Sequence, residues 1–147
     1  MQALDVLGSN IICTSVRDVA VWGVEDGAMF QGMAIGDGIL DYPLYSKKLT
    51  ELCPGVPLHV ECISNSARSI PYLKPGFWEG FPDLQASEIA EFLKLVRRGS
   101  VQHISHPPAG EDKGDFDIKL QQSELLKCLD FLRKNCNAGL KPLNKRQ

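Results

Sequence analysis

The sequence lacks any long apolar run and any strong imbalance of charge. No apolar run approaches the roughly 20 residues that a membrane-spanning helix needs, and no signal-peptide pattern opens the chain. The formal net charge is −2, from 16 basic and 18 acidic residues. This balance gives no electrostatic reason to expect a nucleic acid or an anionic membrane surface as a partner. We therefore expect a cytoplasmic protein that binds neither.

The cysteines are also too few and too scattered to define a disulfide framework or a zinc knuckle. Five occur, without any CxxC spacing: Cys13, Cys53, Cys62, Cys128 and Cys136. An odd, scattered set argues against both arrangements. With 147 residues, 44% of them hydrophobic, the chain could form one soluble globular domain.

Two apolar, β-branched segments at 10–18 and 56–63 are the most informative features of the sequence. Both carry charged residues near their carboxyl ends: Arg17 and Asp18 in the first, His59 and Glu61 in the second. A predicted helix at 44–52 lies between them, and such a crossover is typical of parallel strands that are buried on both faces. Because the carboxyl ends of parallel strands line ligand sites, the charges suggest chemistry. Structural ion pairs capping two buried strands are the alternative.

The remaining segments add helices and loops but no further strand of this kind. We expect a glycine-rich loop at 19–38 that contains a short ribbon at 28–35, and a long irregular lid at 64–85. A helix with Ser87 as N-cap should follow at 87–98, then a linker at 103–117 and a final amphipathic helix at 118–135. Two parallel strands and two long helices cannot close a sheet, and isolated two-stranded sheets are marginally stable. The chain is therefore interpreted as part of a larger α/β unit.

Several motifs extend this interpretation. They are Thr14-Ser-Val-Arg-Asp18, Gly36-Asp-Gly-Ile-Leu-Asp41 and Cys53-Pro-Gly-Val-Pro-Leu-His-Val-Glu61, followed downstream by Pro71-Tyr-Leu, Phe77-Trp and Pro107-Pro-Ala-Gly-Glu111. Together they resemble the last two βα units and carboxyl-terminal region of the sugar phosphate isomerase/epimerase family, which has a xylose isomerase-like TIM barrel. The resemblance implies a partial TIM (β/α)8 barrel at 1–102 and a linker with a carboxyl-terminal helix at 103–147. A complete barrel needs about 250 residues.

The resemblance also implies a chemistry. Family members hold a divalent metal, manganese or magnesium, with two glutamates, an aspartate and a histidine. The metal assists proton transfer on a sugar or sugar-acid derivative, the small-molecule partner expected here. By resemblance, Glu61 is a metal ligand and the catalytic acid/base, and Arg17 and Asp18 bind or orient the substrate.

One position departs from the family pattern. Ser15 stands where the metal-binding histidine is expected, and a hydroxyl is a poor substitute for imidazole. The other expected acidic ligands belong to strands outside this chain, so we expect no tight metal binding and no activity of the chain alone. His59 shares a strand face with Glu61. On one interpretation, His59 binds the substrate or serves as a metal ligand in place of the histidine that Ser15 replaces. On the other, it is a hydrogen-bonded histidine of the core.

A second hypothesis is a non-catalytic remnant or interaction module that completes a partner's barrel in trans. The predicted helices would cover one face of the two strands and leave the other, with His59, Glu61 and Ile63, open. An exposed apolar patch of that kind is typical of an interface. We therefore expect an open βαβα fragment that forms a homo-oligomer or associates with a complementing barrel fragment.

Overall fold

The structure, a computed structural model, describes residues 2–63 and 65–139 and has a mixed α/β backbone. Its helices are α1 Gln2–Leu7, α2 Tyr42–Leu52, α3 Ala86–Arg98 and α4 Lys113–Cys136. Its strands are β1 Thr14–Val16, β2 Asp18–Val24, β3 Gly27–Met33, β4 Leu58–Val60 and β5 Ala67–Ile70. Short 3-10 helices occupy Gly8–Asn10 and Pro75–Gly80. Within the described ranges, no helix is long and apolar enough to cross a membrane.

The strands form two sheets. Strands β1 and β4 pair in parallel, with Ser15 opposite His59, which confirms the predicted parallel pair although both strands are shorter than predicted. Strands β2, β3 and β5 form an antiparallel sheet with β3 in the centre. The part of the chain that the structure describes therefore contains a two-stranded parallel sheet and a three-stranded antiparallel sheet, and no closed barrel.

The antiparallel sheet overturns two predictions. The expected glycine-rich loop at 19–38 is wrong over most of its length, because β2 and β3 form a hairpin there, although β3 confirms the short ribbon expected at 28–35. The expected irregular lid at 64–85 contains β5, which pairs with β3. The apolar residues of β2 favour a strand, and Gly27 permits a close approach: a Cβ on it would lie 2.4 Å from the Ile70 carbonyl oxygen. Glycine here allows tight packing rather than marking a loop.

Capping side chains set where the long helices begin. Helix α3 starts after Gln85 rather than after the predicted cap Ser87, and the Glu88 carboxylate accepts a hydrogen bond from the Gln85 backbone N–H at 2.9 Å. Helix α4 begins ahead of its predicted start because the Asp112 side chain accepts from two N–H groups of the first turn. Each cap satisfies backbone donors that have no partner inside the helix.

The largest hydrophobic cluster lies between the parallel pair and two helices. Its buried members come from β1, the segment after β3, α2 and α4: Val16, Ala34, Ile35, Tyr42, Cys128 and Leu132. Helices α2 and α4 thus cover one face of the parallel sheet. The opposite face carries Ser15 and His59, which are exposed. The expectation that the strands are buried on both faces is therefore wrong for the described residues, whereas the expected open face with His59 is confirmed. The second covering helix is α4, because the helix predicted at 87–98 packs on β2 instead.

Candidate functional site

The carboxyl edge of the parallel pair brings three predicted positions together, and we call Ser15, Arg17 and Glu61 the edge cluster. The Ser15 hydroxyl donates a hydrogen bond to Glu61 Oε2 at 3.1 Å. A guanidinium nitrogen of Arg17 lies 3.8 Å from Glu61 Oε1. These side chains share a face because Ser15 is opposite His59 in the register and side chains alternate along a strand.

The ion pair in the edge cluster is open to solvent. The side chains of Arg17 and Glu61 are 40% and 35% exposed. Exposed pairs of this kind contribute about 0–1 kcal/mol to stability. Little stability is therefore lost when either side chain turns from its neighbour to a ligand.

An open cleft of about 460 Å³, which we call the edge cleft, adjoins the edge cluster. Its other walls come from the end of β1, the loop before α2 and the first turns of α2: Val16, Ile39, Leu40, Asp41, Tyr42, Leu44 and Tyr45. One guanidinium, Arg17, and two carboxylates, Glu61 and Asp41, line the edge cleft, and Asp41 Oδ1 already accepts a hydrogen bond from the Leu44 N–H. This charge balance suits a neutral polyol, or one with a single carboxylate for Arg17, better than a multiply charged anion.

Tyr42 fixes the end of β1 beneath the edge cleft. Its side chain is 3% exposed, and its hydroxyl donates to the Arg17 carbonyl oxygen at 2.6 Å. Burial raises the pKa of Tyr42, and the negative charge of Asp18 raises it further. Tyr42 therefore remains a protonated donor and holds the backbone from which the Arg17 side chain extends. In the sequence, Tyr42 stands out only as the residue between an N-cap and a proline.

Asp18 has a different role from Arg17. It is completely buried. Its Oδ1 accepts from the backbone N–H groups of Val19 and Leu40 at 2.8 and 3.2 Å, and its Oδ2 from those of Gly36 and Gly38 at 3.0 and 3.1 Å. The carboxylate thus organises the 36–40 loop that forms a wall of the edge cleft. Both oxygens of Asp18 are thus occupied by backbone donors, and its role in orienting or binding a substrate stays a prediction.

His59 lies on the exposed face and outside the residues that line the edge cleft. Its Nδ1 is 3.0 Å from the Thr14 carbonyl oxygen, so this nitrogen acts as the donor when the contact is a hydrogen bond. The interpretation as a core histidine is wrong because the side chain is exposed. Its role as a substrate-binding residue stays a prediction.

The side chains around Glu61 do not fit a resident divalent metal. Among residues 2–63 and 65–139, no group of three or more His, Cys, Asp or Glu side chains is placed to hold one. In the edge cluster Glu61 is the only carboxylate, and a cationic guanidinium lies beside it. Manganese and magnesium need several oxygen or imidazole ligands. Glu61 alone does not supply them.

One polar region was missed by sequence reasoning. Gln31 on β3 and Glu124 on α4 line a second cleft, far from each other in the sequence and without a shared motif. Asp37, in the Gly36-Asp-Gly38 motif, is the only residue of this cleft that the quoted sequence motifs contain. The tertiary fold brings the two residues to one cleft, which no local pattern encodes.

The chain as a whole was compared with known proteins in three ways. It matches no protein-family model, no curated protein and no solved structure. The likeness to sugar phosphate isomerases and epimerases therefore rests on the motifs of the sequence and stays a prediction.

Proposed function

We propose that this chain is the carboxyl-terminal part of a sugar phosphate isomerase/epimerase-like barrel, and that alone it binds a sugar or sugar acid without converting it. The observation that supports this is the meeting of Arg17 and Glu61 at the carboxyl edge of two parallel strands, beside the edge cleft. That edge is where parallel α/β folds place their ligands.

The two charged side chains have complementary roles in this proposal. Glu61, as a carboxylate, accepts hydrogen bonds from sugar hydroxyls, and in the complete site it is the acid/base group. Arg17 offers a planar set of N–H donors that match the carboxylate of a sugar acid. Asp18 and Tyr42 hold the loop and strand end that carry these groups.

Catalysis by the isolated chain is not part of the proposal. Removing a proton from a carbon next to a carbonyl requires stabilisation of the enediolate that forms. In the family this is the contribution of the metal, and the residues around Glu61 do not fit one. The remaining ligands would come from the barrel strands that this chain does not contain.

Sugar binding is the first test. We expect glucuronate to bind with a millimolar Kd and to shift the backbone amide signals of 15–17 and 39–45 in NMR titrations. Arg17→Gln should weaken glucuronate binding about tenfold, because a charge-assisted hydrogen bond contributes about 1.5–3 kcal/mol. The affinity for glucose should change much less, because glucose carries no carboxylate.

Arg68→Gln is the matched control, because Arg68 is an exposed arginine on β5, in the other sheet. It should leave both affinities unchanged. Equal effects of the two arginine substitutions, or shifts that avoid the edge cleft, would contradict the proposal.

Metal binding is the second test. We expect Mn²⁺ to bind no more tightly than in the millimolar range in calorimetric titrations, because Glu61 is the only carboxylate of the edge cluster. Ser15→His places an imidazole beside Glu61 and should tighten binding, yet produce no epimerase turnover. A micromolar site in the unmodified chain that Glu61→Gln abolishes would overturn this expectation, and turnover by Ser15→His would show that the missing strands are dispensable.

A second candidate function is completion of a partner's barrel in trans. It is favoured by the open face of the parallel pair, where Ser15 and His59 are exposed, and by the neighbouring Ile63, which is 47% exposed. Neither β1 nor β4 pairs with a third strand among the described residues, so each leaves an edge available for pairing. Failure of both sugars to bind would favour this function over the first.

A further inference from the structure

An apolar cleft, which we call the aromatic cleft, is lined by residues of β5, of α3 and of the segment that joins them. Its volume is about 220 Å³, and it shares no lining residue with the edge cleft. Five of its lining residues are aromatic: Tyr72, Phe77, Trp78, Phe81 and Phe92. The proposed sugar site uses none of these side chains, so their convergence on one cleft calls for another explanation.

Neighbouring rings of the aromatic cleft stand at steep angles to one another. The rings of Phe77 and Trp78 have centroids 5.3 Å apart and planes at 87°, and those of Tyr72 and Phe92 have centroids 5.7 Å apart and planes at 89°. Phe81 lies 5.2 Å from Phe77. The Trp78 indole N–H donates to the Tyr72 carbonyl oxygen at 2.7 Å, which fixes that ring. Nearly perpendicular rings enclose a space from several directions, as in the aromatic cages that bind quaternary ammonium groups.

The aromatic cleft is accessible from solvent. Phe81 is 50% exposed and Leu84 is 38% exposed. The other aromatic side chains of the cleft are half-buried. Two of them, Tyr72 and Phe92, pack against the buried hydrophobic cluster that joins the antiparallel sheet to α3. The cleft therefore has a base anchored in the core and walls that a ligand can reach.

The charge around the aromatic cleft is negative. Among the described residues that line it, Glu88 alone is charged. The exposed carboxylate of Glu88 is held in place by the Gln85 backbone N–H, which donates to its Oε2 at 2.9 Å. The segment 72–92 has four acidic residues and a single basic one, Lys74, which pairs with Asp26. The cleft therefore favours a cation over an anion.

The lining also limits the kind of cation. A primary ammonium or a guanidinium brings several N–H donors that need acceptors, and one oxygen of Glu88 is already used by Gln85. A divalent metal needs several oxygen ligands. A sugar ring could stack on Trp78, but its hydroxyls would meet apolar walls and lose their hydration. A quaternary ammonium group needs no hydrogen-bond partner, and aromatic rings attract it.

We propose that the aromatic cleft binds a small organic cation that carries a trimethylammonium group, in contact with the rings of Phe77, Trp78 and Phe81 and beside the Glu88 carboxylate. The methyl groups pack on the apolar walls, the rings attract the positive charge, and Glu88 balances it. Pockets for drug-sized ligands have volumes of about 300–1,000 Å³. The smaller volume of the aromatic cleft suits a molecule little larger than the ammonium group itself.

The probes for the test are choline, ethanolammonium and the neutral carbon analogue of choline, in which a tert-butyl group replaces the trimethylammonium group. Each is titrated into the full chain and followed by NMR through the Trp78 indole N–H and the ring signals of Phe81. Ethanolammonium has the charge without the methyl groups, and the carbon analogue has the shape without the charge. Choline should therefore bind more tightly than either of them, by about fivefold or more.

Two variants separate the contributions of ring and charge. Phe81→Leu removes a half-exposed ring and keeps an apolar side chain, whereas Glu88→Gln removes the charge and keeps an acceptor for the Gln85 N–H. Each should weaken choline binding by about threefold or more and leave binding of the carbon analogue nearly unchanged. Glu91→Gln is the control, because Glu91 lies on the same helix, pairs with Lys94 and does not line the cleft. It should leave choline binding unchanged.

Three results would overturn the proposal. Equal binding of choline and its carbon analogue would show that the cleft selects apolar shape and not a cation. No binding of choline, or shifts that avoid Trp78 and Phe81, would show that the aromatic cleft is not its site. A trimethyl-lysine peptide that binds more tightly than choline by about tenfold or more would assign the cleft to a protein segment instead of a small molecule.

Discussion

Replacing Asp18 with alanine is expected to lower the free energy of unfolding by about 3–5 kcal/mol. The Asp18 carboxylate accepts four backbone hydrogen bonds in a fully buried position. Its removal leaves those N–H groups without an acceptor, and each unpaired buried donor costs about 1–3 kcal/mol unless water enters. Urea denaturation followed by circular dichroism measures the change.

Asp26→Asn is the matched control for this prediction. Asp26 lies in the turn of the β2–β3 hairpin, where its side chain is 56% exposed and forms an ion pair with Lys74. Its substitution should change the free energy of unfolding by less than about 0.5 kcal/mol. If Asp18→Ala cost no more than Asp26→Asn, the carboxylate would not be what organises the 36–40 loop.

Gly99→Ala is expected to be the second most damaging substitution, with a loss of about 2–3 kcal/mol. Gly99 ends α3 where that helix meets the antiparallel sheet, and a Cβ on it would lie 1.5 Å from the Val21 carbonyl oxygen. Its φ of −72° is accessible to alanine, so the cost is steric rather than conformational. Accommodating the methyl group requires α3 to move away from β2, which loosens the contact of Val96 with Val21. Thermal and urea unfolding measure the loss.

Gly76→Ala provides the comparison for Gly99→Ala. A Cβ at Gly76 would meet no atom within 4 Å. The free energy of unfolding of this variant should stay within about 0.5 kcal/mol of that of the unmodified chain. Similar stabilities of the two alanine variants would contradict the close approach of α3 to β2.

Sequence patterns predicted the parallel pair and the three longest helices because each depends on local signals. Apolar runs predicted β1 and β4, and the helical crossover between them predicted that the two strands are parallel. Parallel strands place Arg17 and Glu61 at the same edge of the sheet. Strand β3 was anticipated by the ribbon expected at 28–35, but β2 and its pairing with β3 were missed because the glycines within 19–38 were interpreted as a loop. Gly27 has a φ of +147° beside Ile70 and Tyr72, a contact that depends on β5 and is invisible locally.

The candidate site was predictable to a similar extent. The meeting of Arg17 and Glu61 follows from strand direction, whereas the burial of Asp18 depends on the 36–40 loop folding back over it. The exposure of His59 depends on which face of the sheet α2 and α4 cover. That choice is set by the packing of Val16 against Cys128 and Leu132 across the fold.

The β2–β3 hairpin and the parallel pair differ in how far apart along the chain their partners lie, and this orders their assembly. Strands β2 and β3 are joined by a tight turn, whereas the contact of Ser15 with Glu61 joins residues 46 positions apart. Closing the longer loop costs more entropy, and contacts that are distant in sequence form more slowly. The hairpin can therefore form from local contacts before the edge cluster exists. In partial opening, the edge cleft is lost while the hairpin persists.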